Sequence, residues 1–220
     1  MDMKKNLKNK NILITAGPTW VPIDKVRVIT NIFGGNLGAL IAEYASWLGA
    51  KTTLLLGPSR VELPKSTKNF KIVRYKYFDD LLNLLKREVA SKKYDVVIHS
   101  AAVSDYAPIS AKKGKIKSGK RNLIIKFKPT LKIVDNIKKW DPDVFLIKFK
   151  LEVGLKEKEL IATAYKSMIS SNADIIVAND FEKMDRQHIA FIIDKKMNVI
   201  KCRGKNKIAK KILYTILNLI

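Results

Sequence analysis

Short apolar runs alternate along this chain with segments in which apolar residues recur at helical spacing. The runs Asn11–Ala16, Lys51–Leu56 and Tyr94–His99 are bounded by turn residues, which is typical of strands buried on both faces. Between them, Asn36–Leu48 and Phe78–Ala90 have the pattern of amphipathic helices. Because parallel strands must be joined by crossovers, this alternation predicts an α/β fold. We expect a doubly wound, mainly parallel, Rossmann-like sheet with helices on both faces.

The second half of the chain continues the same pattern. Further strands are predicted at Phe70–Val73, Leu123–Phe127, Val144–Phe149 and Asp174–Ala178, followed by a hairpin of Ile189–Ile193 with Asn198–Lys201. Further helices are predicted at Leu131–Lys139, Lys156–Ser171 and Ile208–Leu219. The lysine-rich, glycine-punctuated segment Lys112–Arg121 is expected to be a mobile loop. No linker or repeat divides residues 1–220, which predicts a single domain.

Composition narrows the class of protein. With 220 residues, 47% of them hydrophobic, the chain has enough apolar material for a sizeable core, which excludes a disordered protein. No apolar run approaches the roughly 18 residues that a membrane span needs, and the basic start MDMKKNLKNK leads into too short an apolar run for a signal peptide. The single Cys202 excludes an internal disulfide and fits no zinc spacing. A cytoplasmic protein without membrane contact is therefore expected.

The net charge leaves a second class of function open. Lys+Arg number 43 against 20 Asp+Glu, and the resulting charge of +23 attracts nucleic acids and nucleotide phosphates alike. The lysines are spread through most of the chain, with clusters at 4–10, 112–128 and 195–211. Such usage is also typical of life at high temperature. A basic nucleic-acid-binding protein therefore remains the alternative to an enzyme with a phosphorylated ligand.

The turns after the predicted strands do not fit a dinucleotide-binding protein. An NAD(P)-dependent Rossmann oxidoreductase requires G-x-G-x-x-G after the first strand and an acidic residue after the second. The first turn lacks that motif, and the second strand runs into Gly57–Arg60 without an acidic residue. The oxidoreductase is therefore the weaker of the two alternatives.

Glycines at the start of the first helix indicate a different phosphate site. The segment Gly34–Gly38 (GGNLG) places bare backbone amides at a helix amino terminus, where they attract phosphate. A G-x-x-x-x-G-K match at Gly114–Lys120 has Arg121 where Ser or Thr is needed, and no strand leads directly into it. We interpret that match as coincidental.

Five motifs, in order over residues 11 to 195, resemble the phosphopantothenoylcysteine synthetase family. The stretch TAGPTWVPIDKVRVITN followed by GGNLG is similar to the family's TxGGTxxPID-VR-(I/F)-(S/T)N and SSGxxG. The other four matches are Ser100–Tyr106 (SAAVSDY) to AAVADY, Lys115–Lys117 to KIKK, Lys128–Val134 to KxPD-I, and Ile176–Asp180 to IVAND. Each motif is weak alone, but the ordered set is specific.

The resemblance implies ligation of 4′-phosphopantothenate to L-cysteine in coenzyme A biosynthesis. A nucleoside triphosphate, CTP or ATP, activates the pantothenate carboxylate as an acyl-nucleotidylate, and the cysteine amine then displaces the nucleotide. The family also implies Mg²⁺, a homodimer whose site is shared across the interface, and no specific nucleic-acid partner. The flavin-dependent decarboxylase that often precedes this domain is missing from the sequence, which predicts a stand-alone synthetase.

The resemblance also implies site residues. Asn31 and Lys115 are expected to be catalytic, Lys115 by stabilising the charge on the acyl phosphate and the leaving group. Nucleotide binding is assigned to Gly17, Gly35, Gly38, Asp105, Lys115, Ile133, Val134, Phe149 and Asn179. Substrate binding is assigned to Asn31, Ala101, Ala102 and Asp105. The metal ligands stay open.

The sequence differs from the family pattern in three places. Phe33-Gly34-Gly35 stands in place of SSG, and Lys148 replaces the glycine of VGF. The family's K-L-x-x-K, two lysines expected to bind phosphate, becomes Ser167 to Ser171. Lys148, Lys150 and Lys166 are the candidate replacements. His99, inside an apolar run, is interpreted as a core or rim histidine.

Overall fold

The centre of the protein is an eight-stranded sheet, seen in a computed structural model that describes residues 6–119, 121–184 and 188–220. The strands are β1 (Asn11–Ala16), β2 (Trp20–Pro22), β3 (Val28–Thr30), β4 (Lys51–Leu56), β5 (Phe70–Arg74), β6 (Val96–His99), β7 (Tyr106–Pro108), β8 (Phe127–Pro129), β9 (Phe145–Glu152), β10 (Ile175–Asp180), β11 (Ile189–Asp194) and β12 (Val199–Arg203). The helices are α1 (Asn36–Trp47), α2 (Phe78–Ala90), α3 (Val134–Trp140), α4 (Glu157–Ser170) and α5 (Lys205–Leu219). Residues 1–5 of the basic amino terminus, and Lys120 at the end of the G-x-x-x-x-G-K match, lie outside the described residues.

The strand order is that of a doubly wound sheet. In space the strands run β12-β11-β10-β9-β6-β1-β4-β5, and all pairs from β5 to β10 are parallel. β11 is antiparallel to both β10 and β12, which confirms the terminal hairpin. The predicted α/β class and the mainly parallel sheet are therefore confirmed.

The inner strands of the central sheet bury both faces. Along β1, Ile12 and Ile14 face α1 and α5, whereas Leu13 between them faces the layer of α2, α3 and α4. All three side chains are completely buried, and each contributes roughly 1.5–3 kcal/mol of hydrophobic stabilisation. This is why the buried strands are apolar throughout instead of alternating with polar residues. Among the described residues, no helix is long and apolar enough to cross a membrane.

Two small antiparallel ribbons lie outside the central sheet and were not predicted. β2 pairs with β3, and the turn between them is closed by Asp24, whose Oδ1 accepts the N–H groups of Val26 and Arg27 at 2.9 and 2.8 Å. β7 pairs with β8. The predicted strand Leu123–Phe127 is wrong, because the ladder begins only at Phe127 and residues 123–126 belong to no strand.

The loop expected at Lys112–Arg121 has no regular structure in its described residues, but its middle is fixed. Ile116 is buried, and its N–H donates to Asp24 Oδ2 at 3.0 Å while its carbonyl accepts from Arg27 Nη2 at 3.3 Å. Lys25 N–H also donates to Gly114 O at 3.4 Å. The loop is therefore docked on the β2–β3 turn.

Candidate functional site

A cavity of about 460 Å³ opens at the carboxyl end of the parallel strands. The chain runs from β1 outward to β4 and β5 and returns on the other side of β1 as β6. Ligands of open α/β sheets bind at this kind of switch point, where the connections leave in opposite directions and leave a crevice. The cavity walls come from the start of α1, the loop after β6, the start of α3, β9 and β10.

The amino terminus of α1 forms one wall and is pressed against β1. Gly35 caps the helix with φ +80, and a Cβ there would collide with the backbone of Gly17. A Cβ at Gly38 would lie 2.7 Å from Ala16 Cβ. No side chain of the described residues caps this helix, so its first N–H groups are free for a ligand. Gly35 and Gly38 line the cavity as expected, whereas Gly17 lies beneath Gly35 and is not one of the lining residues.

Asn31 joins the segment after β3 to the loop after β6. Its Nδ2 donates to the carbonyl oxygens of Ala102 and Val103 at 3.0 and 3.2 Å. Both amide protons are thereby used, and Oδ1 is the atom left to face a ligand. Asn31, Ala101 and Ala102 all line the cavity.

Asp105 presents a carboxylate at the rim. Its backbone oxygen accepts the N–H of Thr130 at 2.9 Å, which fixes the loop, while the side chain is exposed. No bond to its carboxylate occurs within the described part of the chain. Thr130 Oγ1 also donates to Ser104 O at 2.7 Å. Asp105 lines the cavity and is free to approach a cation, a ribose or a phosphate-bound metal.

The opposite wall contains the other residues assigned to the nucleotide. Ile133 and Val134 are buried at the start of α3, Phe149 is half-buried on β9, and Asn179 is buried on β10. Asn179 Nδ2 donates to Ile189 O at 3.3 Å. All four line the cavity, which brings apolar, aromatic and amide groups to one side of it.

Lys115 lies apart from these residues. It is exposed on the docked loop and is not one of the residues that line the cavity. The neighbouring Ile116 fixes the loop on the β2–β3 turn instead of over the cavity. Within one chain, the structure therefore does not bring the two expected catalytic residues, Asn31 and Lys115, together.

His99 was not assigned to the site, and Lys148 was only one of three candidate replacement lysines, yet both line the cavity wall. His99 and Lys148 are in register on β6 and β9, and both are buried. His99 Nδ1 lies 2.9 Å from Thr15 Oγ1, which also accepts the N–H of Ala101. Burial and the positive charge of Lys148 lower the pKa of His99 to about 4, so His99 is neutral at ordinary pH. A lysine inside the apolar run FLIKF was the available sequence signal, because a buried charge requires partners.

The residues of the cavity fit a metal ion only as an ion bound with its phosphates. No group of three or more His, Cys, Asp or Glu side chains lies close enough to hold a metal among the described residues. Mg²⁺ commonly takes one or two protein carboxylates and completes its shell with substrate phosphates and water. Asp105 is the carboxylate of the cavity that offers this single ligand.

These features define an α/β protein with a cavity at the switch point of its sheet, where the free N–H groups of α1 suit a phosphorylated ligand. The chain belongs to the family described as DNA/pantothenate metabolism flavoprotein C-terminal domain, whose model matches residues 7–219. The resemblance drawn from the five motifs is thus confirmed at the level of the family.

Individual relatives agree with this assignment. Over 175 residues the chain is 41% identical to the Coenzyme A biosynthesis bifunctional protein CoaBC of Thermococcus kodakarensis, covering 80% of this chain and 42% of that protein. A DNA/pantothenate metabolism flavoprotein from Streptococcus pneumoniae is 33% identical, with a TM-score of 0.87 and 96% and 100% of the two chains covered. The C-terminal domain of a CoaBC protein is 31% identical, with a TM-score of 0.80 and 97% and 96% covered. The chain spans about half the length of the curated relatives it matches.

Proposed function

We propose that this chain is a phosphopantothenate–cysteine ligase of coenzyme A biosynthesis that uses a nucleoside triphosphate, CTP or ATP, with Mg²⁺. The proposal depends most on one observation: the uncapped amino terminus of α1 and the hydrogen bond from Asn31 to Ala102 lie in the same cavity. These segments are separated in sequence but coincide with the motifs of the family. The names of the relatives, which place them in coenzyme A biosynthesis, support the same reaction.

The reaction has two steps. A carboxylate oxygen of phosphopantothenate attacks the α-phosphorus, the bond to the β-phosphate oxygen breaks, and pyrophosphate leaves. The cysteine amine then attacks the acyl carbon, the bond to the nucleotide oxygen breaks, and the amide forms with release of the nucleoside monophosphate and a proton. Both steps gather negative charge, so cations and N–H donors must offset the repulsion.

Each wall of the cavity has a part in these steps. The free first N–H groups of α1, between Gly35 and Gly38, bind phosphate oxygens. Asn31 holds the loop of Ala101 and Ala102 and turns its Oδ1 toward the substrate. Asp105 holds the Mg²⁺ that arrives with the triphosphate. The opposite wall, with Phe149 and Asn179, binds the base and ribose.

A homodimer completes the site by supplying Lys115 from the second copy. Exposed apolar side chains gather on the two ribbons and the segment that leads into β8, the same region that carries the Lys115 loop. Examples are Val26, Ile32, Tyr106, Ile109 and Ile124, each more than half exposed. Exposed apolar side chains on neighbouring elements are typical of an interface with another chain. Since Lys115 does not line the cavity of its own chain, this arrangement supports a site shared between two copies.

Pyrophosphate release tests the function directly. The protein is incubated with phosphopantothenate and with CTP or ATP in turn, first without and then with L-cysteine. Pyrophosphate is expected with one triphosphate in the first case, and phosphopantothenoylcysteine only when cysteine is added. Absence of pyrophosphate with both triphosphates, despite bound phosphopantothenate, would contradict the proposal.

Lys115→Gln is expected to slow turnover by at least about 100-fold, because one charge-assisted contact to the developing phosphate charge is lost. The variant should unfold at the temperature of the unaltered protein, since Lys115 is exposed. Steady-state rates and thermal unfolding are the measurements. An undiminished rate would remove Lys115 from the mechanism.

A further inference from the structure

Lys148 is a buried cation in the cavity wall that has only neutral hydrogen-bond partners. It is 3% exposed and lies between His99 of β6 and Ile176 of β10. Its Nζ donates to Ser167 O at 2.9 Å, to Ser167 Oγ at 3.0 Å and to Ser171 Oγ at 2.9 Å. Among the described residues, no carboxylate forms an ion pair with it.

Helix α4 is built to hold this ammonium group. Its apolar side, with Leu160, Ala164 and Met168, packs into the core, and the two serines lie beside that side at a spacing of one turn. Ser171 Oγ donates its own proton to backbone carbonyls of α4, at Ser167 and Met168. Its oxygen is therefore left to accept from Lys148, and the ammonium is oriented by three fixed acceptors.

The surrounding charges do not neutralise Lys148. Burial is the main cause that lowers its pKa to about 8. The carboxylate of Asp135 on α3 has the largest charge effect and raises the pKa, whereas Lys132 and Lys150 lower it. His99 is neutral, and α4 faces Lys148 with serines and no ionisable side chain. A buried charge without a counter-ion in direct contact is unfavourable. An anion in the cavity that Lys148 lines would supply the missing counter-ion.

We infer that Lys148, oriented by Ser167 and Ser171, is the buried cation of a phosphate-binding subsite in this cavity. The inference rests on the proposed function, which brings two phosphate-bearing ligands to the site. All three N–H groups already donate to α4, so Lys148 acts by its charge and is a positioning residue for the phosphate. Phosphopantothenate and the nucleoside triphosphate share this chemistry, and the experiment distinguishes them.

The inference has a pH signature with a definite sign. A bound phosphate favours the charged form of Lys148 and raises its pKa above the value of about 8 in the free protein. Near pH 8, binding must therefore take up protons. As the pH rises through this value, the amine becomes neutral in the free protein and the affinity for the ligand falls.

Calorimetric titration tests this inference. CTP, ATP, phosphopantothenate and pyrophosphate are titrated separately at about pH 8, in two buffers of different ionisation enthalpy. Lys148→Met is compared with Lys166→Met, an exposed lysine of α4 that does not line the cavity. Lys148→Met should weaken binding of one phosphate ligand by about 10- to 100-fold and abolish its proton uptake, whereas Lys166→Met should change neither. The ligand that loses affinity identifies the occupant of the subsite.

Other outcomes separate this inference from the proposed function. Unchanged affinity and proton uptake in Lys148→Met, for every ligand, would overturn the inference and leave the ligase proposal intact. Pyrophosphate binding that depends on Lys148, in a protein without ligase turnover, would support the subsite and contradict the ligase. If Lys148→Met does not fold, the pKa of Lys148 is measured by NMR in the unaltered protein. It should rise when ligand binds, and a constant value would overturn the inference.

Discussion

Gly38 shows how closely helix and strand must approach to form the phosphate-binding wall. The position of its missing Cβ lies 2.7 Å from Ala16 Cβ, 3.2 Å from Ser100 Oγ and 3.3 Å from Thr15 O. Ala16 Cβ and Thr15 O are fixed to the backbone of β1, so rotating the Ser100 hydroxyl would not relieve the crowding. The glycine therefore fixes where the first N–H groups of α1 point.

Gly38→Ala is expected to destabilise the protein by about 1–3 kcal/mol, because the extra methyl group must push α1 away from β1. Nucleotide affinity should fall at the same time, since the free N–H groups move with the helix. Urea unfolding and a nucleotide titration measure the two effects. Gly114→Ala is the control for stability: nothing lies within 4 Å of its Cβ position, and the free energy of unfolding should stay within about 0.5 kcal/mol.

Asn31→Asp is expected to lower phosphopantothenate-dependent pyrophosphate release by about 100-fold. A carboxylate cannot donate to Ala102 O and Val103 O, and it repels both carbonyls. Asn31→Ala removes the two hydrogen bonds without adding the repulsion, so it should be less impaired. Initial rates of the three proteins decide the order. A fully active Asn31→Asp would show that these hydrogen bonds do not position the loop.

Site residues differ in how far the sequence could predict them. The glycines and Asn31 belong to local motifs, so their place beside the first helix could be read directly. Lys148 could not be singled out among the three candidate lysines, because its partners are 19 and 23 residues away and meet it only after α4 packs on β9. His99 looked like a core residue for the same reason: its register with Lys148 depends on which strand lies beside β6.

At the scale of elements, the differences from the family pattern at positions 148, 167 and 171 belong to one structural change. The sequence lacks the expected lysines on α4, and the structure places Lys148 of β9 against the two serines that occupy those positions. Small hydroxyl side chains on the helix leave the space that a lysine from the strand fills. The candidate replacements Lys150 and Lys166 differ, since Lys150 pairs with Glu152 at 2.9 Å and Lys166 is exposed outside the cavity.

Long elements were predicted well and short ones were not. The boundaries of β1, β4 and α2 are those predicted, because the apolar patterns of β1 and β4 end at a glycine and that of α2 ends at the polar Ser91-Lys92. The three-residue strands of the two ribbons have too few residues to show a period. Alternation in Leu123–Phe127 predicted a strand, but Ile124 is 83% exposed and has no neighbouring strand to pair with.

Asp24→Asn is expected to release the Lys115 loop, because the hydrogen bond from Ile116 N–H and the ion pair with Arg27 are weakened. The rate of tryptic cleavage within the loop should rise by roughly 10-fold. Limited proteolysis followed by mass spectrometry measures this rate. Asp79→Asn, an exposed carboxylate on α2, should not change it. Equal cleavage in Asp24→Asn and the unaltered protein would mean that other contacts hold the loop.

Docking of the Lys115 loop on Asp24 should be lost at low pH and should not change as the pH is raised. The hydrogen bond from Ile116 N–H, and those from Val26 and Arg27, hold the pKa of Asp24 below its usual value of 3.8. Docking is therefore complete above that value and is lost as the pH falls through the lower pKa of the folded protein. An acid-stable protease should cleave the loop faster only in strongly acidic solution.

At the scale of the whole molecule, the net charge of +23 does not require a nucleic-acid partner. Small phosphorylated ligands are anions too, and a positive protein attracts them in the same way. A net positive charge would raise the concentration of the proposed phosphorylated ligands near the protein, and salt would weaken this effect by screening it. The net charge can be counted from the sequence. Which lysines contact a ligand cannot, because that depends on which of them the fold brings to one site. Among the basic residues that the structure describes, Lys148 is distinguished by its burial.

A mixing experiment distinguishes a site shared between two copies from a site within one chain. It asks whether Asn31 and Lys115 of the same site come from different copies. Lys115→Gln and Asn31→Asp, each nearly inactive alone, are mixed in equal amounts, dissociated and reassembled. In a shared site, each mixed dimer has one cavity with intact Asn31 from one copy and intact Lys115 from the other. Random pairing makes half of the dimers mixed, so about one quarter of the unaltered activity should return. If each chain used its own Lys115, no mixed dimer would contain an intact site, and the mixture would stay as inactive as its components.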